Sequence, residues 1–469
     1  MQFTDAGIGP IAGPARFCCL IRRCYRKYDG GYEARDKNSS PVGHSQMQRL
    51  LRSILSVACL APVCELVQAG DWPQILGPHR NGVAIAERIA SAWPGTGPKT
   101  LWQREVGRGF AGVAVSRGSA ILFHRLGDQE VVEALAASTG KSTWKAAFTA
   151  SYLPTLSDDD GPRVVPIIAP ERVYTYGAMG HLRCLDAATG RLLWERNTFE
   201  DFSAKQPVEG EPPEGYFGIG SSPIVQGDKI IVNVGGDTQE AGIVAFAVDT
   251  GRTVWKATAE RASYSSPVAV SVGGVRHVIF VTRLSVLSLD PDNGKVRFKF
   301  PFGRIGPTVN AANPVVLDGN LFVTASYGIG SVLAKIVGDK AVVLWRDPRI
   351  LASQYTTCVE SGGYLFGIHG RQDGPRAELR CLDPWSRKIL WSQPSFGYAT
   401  LIKADDKLLI LKTDGTLVLA ATNPKQYEEL ARMQVCDNIT RALPALAEGL
   451  FFVRDTKVLK CIDLRPGRP

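Results

Sequence analysis

A phrase of thirteen residues, CLDAATGRLLWER from Cys184 to Arg196, returns along this chain with the same spacing of glycine and aromatic residue. Nothing else in the sequence restricts the fold as much. Aligned on the glycine and the aromatic four positions later, copies read AASTGKSTW ending at Trp144, AVDTGRTVW ending at Trp255 and DPDNGKVRF ending at Phe298. Two further copies, VGDKAVVLW ending at Trp345 and DPWSRKILW ending at Trp391, have lost the glycine but keep the tryptophan. An Asp four residues before the glycine accepts hydrogen bonds from turn amides, and the glycine supplies the positive φ that a hairpin turn needs. The residues that follow are β-branched or aliphatic, suited to a strand, and the aromatic needs burial. Covering roughly 200 Å² of indole at about 25 cal/mol/Å² is worth on the order of 5 kcal/mol at most. One hairpin cannot bury that surface alone, so a neighbouring copy must cover it.

The steps between successive aromatics are 50, 61, 43, 47 and 46 residues, close to the 40 to 50 of a four-stranded propeller blade. Only the 61-residue step needs an insertion, and the Pro/Gly-rich stretch Glu200–Gly218 has that composition. A second column keeps the same period. Short segments beginning at Phe110, Val164, Ser221, Ser265, Ala312, Tyr355, Tyr398 and Ala442 read as eight first strands, five of them carrying a proline. Proline has no amide for a central strand, so it suits the strand beside the channel, whose inner edge lacks a partner. The last repeat stops at Pro469 before its fourth strand, while KTLWQREVG (Lys99–Gly107) carries an orphan tryptophan, Trp102. The expectation is an all-β, eight-bladed β-propeller over residues 99–469, its ring closed by the N-terminal strand completing the C-terminal blade. Trp102, Trp144, Trp194, Trp255, Phe298, Trp345 and Trp391 are then the docking residues between blades.

Residues 70–98 form a lead-in segment. Before them, MQRLLRSILSVACLAPVCELVQA (Met47–Ala69) has two arginines, an apolar run and small or apolar residues at a cleavage position, which reads as a signal peptide. The run is too short for a permanent membrane span. Residues 1–46 read as a disordered upstream extension, and the protein as periplasmic or secreted. Residues 1–69 hold nine Lys/Arg and five Asp/Glu, so the formal charge of +9 falls to +5 for the rest. No basic run points to nucleic acid. Five cysteines follow the leader: Cys184, Cys358, Cys381, Cys436 and Cys461. Three share one place in the repeat, which favours buried packing over bridges.

The phrase Asp-x-x-x-Gly-x-x-x-Trp resembles the tryptophan-docking repeat of the pyrroloquinoline quinone (PQQ) propeller superfamily, and also the outer-membrane assembly propellers of BamB type. DWPQILGPHRNGV, TYGAMGHLRCLDAATG and ASYSSP are similar to stretches of PQQ-binding-like β-propeller repeat proteins. For the dehydrogenases among them, the resemblance implies PQQ beside calcium, an aspartate base and a disulfide of adjacent cysteines. The adjacent pair here is Cys18-Cys19, in the leader, and no Cys-x-x-Cys-His is present. No calcium carboxylates are placed by the resemblance, and Asp158-Asp159-Asp160-Gly161 reads as a solvated turn ahead of a cation site. The histidines show no ligand spacing, so no metal and no catalytic residue is assigned. No cofactor is expected, although PQQ stays open.

The first-strand column, counted back three and four positions, places Arg108, Arg163, Tyr264, Asn310, Gln354 and Arg441 at the channel mouth, with Tyr355 and Tyr398 adjacent. Three converging arginines call for an anion, or for local acidic partners. The reading is a monomeric, non-enzymatic scaffold for an anionic small molecule or an envelope protein. A divergent PQQ-dependent dehydrogenase and an assembly factor of BamB type are the alternatives.

Overall fold

The computed structural model describes residues 70–154, 159–204, 217–374 and 377–467. Residues 1–69 (with the expected signal peptide), Asp158 and most of the 61-residue step's insertion lie outside them. The strands form eight sheets arranged as an eight-bladed β-propeller. Blade 1 comprises Ala114–Ser116, Ser119–Leu126, Gln129–Ala136 and Ser142–Thr149. Blades 2 to 7 repeat that antiparallel order with first strands at Ile167–Ile168, Ile224–Gln226, Val268–Val272, Val315–Leu317, Val359–Ser361 and Ala399–Ala404. Blade 8 has three C-terminal strands, Ala445–Ala447, Leu450–Arg454 and Val458–Asp463, and its fourth is Thr100–Glu105. Trp102 pairs with Cys461 in that antiparallel register, so the ring closes as the orphan tryptophan implied.

The repeat's chemistry is visible in each turn. The Asp186 carboxylate accepts from the amides of Ala188 and Thr189. Gly190, at φ +73°, ends that turn, and a Cβ there would lie 2.3 Å from the ring of Trp144 in the preceding blade. Gly140, Gly251 and Gly294 meet Trp102, Trp194 and Trp255 in the same way. The indole N–H of each seated tryptophan donates to a carbonyl of the next blade's turn: Trp102 to Ala137, Trp144 to Ala187, Trp194 to Val248, Trp255 to Pro291, Trp345 to Pro384 and Trp391 to Asn423. The glycine is thus a seat for the neighbouring indole as well as a turn former. Blade 7 has Ala431 at the aromatic position, opposite Leu419.

Cys184, Cys381 and Cys461 sit directly across from Trp194, Trp391 and Trp102. All five cysteines of the described residues are buried and free. Burial pushes the Cys184 thiol up to about 11 and those of Cys358, Cys381 and Cys461 to about 12.

The lead-in segment corrects one expectation. The inner edges of the blades are not all unpartnered, because residues 70–98 cross the channel and pair with several. Trp72 and Val115 exchange backbone hydrogen bonds at blade 1, and Ile168 N–H donates to Pro73 at blade 2. Val83–Ala84 runs parallel to Lys403 and Ala404 at blade 7. The Glu87 carboxylate caps the amides of Glu448 and Gly449 at blade 8. Between these contacts Arg80, 1% exposed, spreads its guanidinium over the carbonyls of Ser222, Pro223 and Pro267 in blades 3 and 4. Three of its acceptors belong to the Ser-Ser-Pro column of the repeat. Burial holds this guanidinium down at about 9, still protonated at neutral pH.

Candidate functional site: the closed-bottom funnel

At the face opposite those turns, where the first strands begin, the channel opens into a cavity of about 1010 Å³. Its wall comes from the connections between blades, because each connection must drop from an outer strand to the next innermost one. Ile75 of the lead-in segment also lines it. Ile75 packs with Leu76, Ala114 and Val165, which places the lead-in beneath the cavity as its floor.

Of the eight positions read from the repeat, Arg108, Arg163, Tyr264, Gln354, Tyr355 and Arg441 line the cavity. Asn310 and Tyr398 do not, and the column count misplaced them. Asn310 is 1% exposed and its side-chain amide donates to the Thr282 and Arg283 carbonyls, tying two blades together. The Tyr398 hydroxyl accepts from the amides of Tyr355 and Thr356. It holds the Tyr355 ring, 4.5 Å away between centroids, in the wall.

The wall is chemically lopsided. One arc, from the connections entering blades 8, 1 and 2, carries Arg441, Arg108 and Arg163 around Phe110. The Arg441 and Arg163 guanidinium carbons lie 5.2 and 5.8 Å from the centre of that one ring. Arg163 also donates to the backbone carbonyls of Gly161 and Asp159, and Arg108 pairs with Asp160 at 3.0 Å. Arg441 has no hydrogen bond or ion pair among the described residues, and its Nε is buried without a partner. The opposite arc is polar and holds one ion pair: Gln354 donates to the Tyr327 hydroxyl, Tyr355 donates to Gln372, the Gln372 amide donates back to Gln354, and Asp373 beside it pairs with Arg371. Burial raises the phenol of Tyr355 well above its ordinary value.

Asp159 and Asp160 correct the solvated-turn reading. Asp160 is 8% exposed and pairs with Arg108 and Arg125. Asp159 accepts from the amides of Gly109 and Gly161 and pins the cationic arc to the cavity rim. Phe110, Ile75, Tyr327 and Gln372 were missed by sequence reasoning. Phe110 lies two residues after Arg108 and was legible in the same column; Ile75 stands outside the repeat and carried no signal.

The cavity's residues do not fit a PQQ–calcium site. Its two carboxylates are already engaged, Asp159 by the two backbone amides and Asp373 by Arg371. No cluster of three or more His, Cys, Asp or Glu suited to a metal occurs among the described residues, and their cysteines are not adjacent. No helix among the described residues is long and apolar enough to cross a membrane.

A family profile described as "Outer membrane protein assembly factor BamB" matches residues 87–201 and 128–393. A curated outer membrane protein assembly factor BamB from Burkholderia pseudomallei (strain K96243) is 22% identical over 260 residues, 54% of this chain and 61% of that protein. The chain thus spans about three fifths of the length of that relative. Among solved structures, BamB from Moraxella catarrhalis aligns with TM-score 0.54 at 15% identity, over 79% of this chain and 99% of that one. Quinohemoprotein alcohol dehydrogenase from Comamonas testosteroni aligns with TM-score 0.57 at 15% identity, over 85% and 81%. At these identities the structural likeness concerns the fold.

Proposed function

The chain belongs to the PQQ-like propeller family whose profile is described as outer membrane protein assembly factor BamB, and from that premise we propose that it is a non-enzymatic binding scaffold of the cell envelope. Its ligand carries negative charge and enters the funnel. The observation that supports this reading is Arg441, a guanidinium at the cavity wall stacked on Phe110 with no hydrogen bond or ion pair among the described residues. Arg163, beside the same ring, offers a second guanidinium. A carboxylate between them would gain charge-assisted hydrogen bonds in a partly desolvated place. The uncharged side chains of Tyr327, Gln354 and Tyr355 would receive the rest of the ligand.

Titration calorimetry with citrate and with a glutamate-rich peptide tests the reading. The protein should bind at least one of the two, more weakly as salt rises. The Arg163→Ala, Arg441→Ala double variant should lose roughly a hundredfold, about 3 kcal/mol for two charge-assisted contacts. Arg441→Ala alone removes no hydrogen bond or ion pair among the described residues, only the stacking on Phe110, so its melting temperature should stay close to that of the parent. Equal affinity in the double variant, or no binding of either probe, would sink the proposal.

A further inference from the structure

Away from the funnel, blades 5 and 6 share an outer surface of unusual composition. The exposed positions of the blade 5 outer strand, Lys340–Asp347, read Lys340, Val342, Leu344 and Arg346. In blade 6, six successive residues from Trp385 to Leu390, WSRKIL, are all exposed. Trp385 is 44% exposed, Val342 54%, Leu344 49% and Ile389 43%. The other eight tryptophans of the chain are buried or half-buried. Two contacts bring the segments together: the Trp345 indole donates to the Pro384 carbonyl, and Arg387 pairs with Asp347 at 3.8 Å. The blade 6 turn therefore lies against the blade 5 outer strand, and their exposed side chains form one surface.

The charges on this surface lean to one sign. Of the carboxylates in or beside the two segments, Asp339 is paired with Arg297 and Asp347 with Arg387, while Asp383, held by the amides of Trp385 and Ser386, faces Lys388 across the strand pair; Lys340, Arg346, Arg387 and Lys388 outnumber them. Lys340 and Lys388 have no ion pair among the described residues. An exposed indole flanked by aliphatic side chains and by Lys340 and Lys388 matches the interface of an anionic bilayer, where indole sits at headgroup depth and lysine stems reach the phosphates. A second copy of this chain would set lysine against lysine and is disfavoured. We propose that this face of blades 5 and 6 is a peripheral docking surface for an anionic lipid membrane.

The test is co-sedimentation with phosphatidylcholine vesicles, with and without phosphatidylglycerol. The full chain should bind the anionic vesicles and release as salt is raised through several hundred millimolar. Lys340→Ala, Lys388→Ala should weaken binding about thirtyfold, and Trp385→Ala should weaken it by about tenfold while removing a blue shift from the vesicle-induced fluorescence change. All variants keep residues 1–69, so a difference between them reports on the face and not on the leader. The substituted side chains are exposed, and unchanged melting temperatures confirm that the variants fold. Variants that sediment with vesicles as the parent does would overturn the assignment. So would a concentration-dependent dimer dissolved by Val342→Glu, which would give the face to a second copy.

Discussion

His124 shows how the repeat places a side chain for structure instead of chemistry. It is 2% exposed, and its Nδ1 accepts the Gly107 amide at 2.9 Å. His369, ten residues after the start of its blade's first strand as His124 is after the start of its own, accepts the Ala352 amide in the same way. An accepting nitrogen needs its lone pair, so both rings are neutral. Burial, reinforced at His124 by Arg454, holds each imidazole down to about 4. Glu133 opposes this at His124, but at 3.8 Å it is too distant for a hydrogen bond. The folded state therefore binds fewer protons than the unfolded chain between pH 6.5 and 4. Stability is full above 6.5 and is lost as pH falls through that window. Denaturant unfolding should show His124 contributing a loss of about 2 to 3 kcal/mol between pH 7 and 4.5. In His124→Asn, where an amide oxygen takes over as acceptor, that part of the slope should vanish; an unchanged slope would refute a neutral buried ring.

At the scale of one blade, the glycine and the next blade's contact to it separate into two measurable parts. Gly118 has φ +72° and nothing within 4 Å of an added Cβ, whereas Gly190 has φ +73° and the Trp144 ring at 2.3 Å. Gly118→Ala should cost about 1 kcal/mol, the backbone part alone. Gly190→Ala should cost about 3 kcal/mol or more, because the indole must leave its seat and its bond to Ala187. Equal losses in thermal unfolding would mean that the seat carries no energy. This division also explains what was legible beforehand. The turn chemistry of Asp186 and Gly190 is local, so it stood in the sequence as spacing. The seat joins Gly190 to Trp144 across a blade boundary, and only the period hinted at it. The funnel was half legible for the same reason: Arg163 and Arg441 each stand four residues before their first strand, the place that Phe110 takes in blade 1 two residues after Arg108, while Asn310 and Tyr398, read from the same column, turn into the wall to satisfy backbone groups. The lead-in, with Arg80 and Ile75, belongs to no repeat, and its path had no periodic signal to follow.

Across the whole molecule, two pieces of N-terminal chain finish what eight similar blades leave open. Residues 70–98 cover inner edges and floor the cavity, and Thr100–Glu105 completes blade 8. The second is the more consequential, since a propeller without it has two unpaired flanks where the first and last blades should meet. In the closed ring the boundary between blades 8 and 1 is built like that between blades 2 and 3. Trp102 lies on Gly140, donates to Ala137 and packs 6.1 Å from Phe452, as Trp194 lies on Gly251, donates to Val248 and packs 6.0 Å from Tyr174. Equivalent surroundings require equivalent energetics, even though Trp102 is joined to its blade by strand pairing alone and Trp194 by a continuous chain. Trp102→Ala should thus cost about 3 to 5 kcal/mol, the range for a buried aromatic, and Trp194→Ala should cost the same within about 1 kcal/mol. Removing residues 99–107 should lower the melting temperature further and expose the edge of Val458–Asp463 to aggregation. If Trp102→Ala unfolded near the parent temperature while Trp194→Ala did not, the closing strand would be an ornament on a ring held shut by the lead-in, and the closure described by the Trp102–Cys461 register would not be what stabilises it.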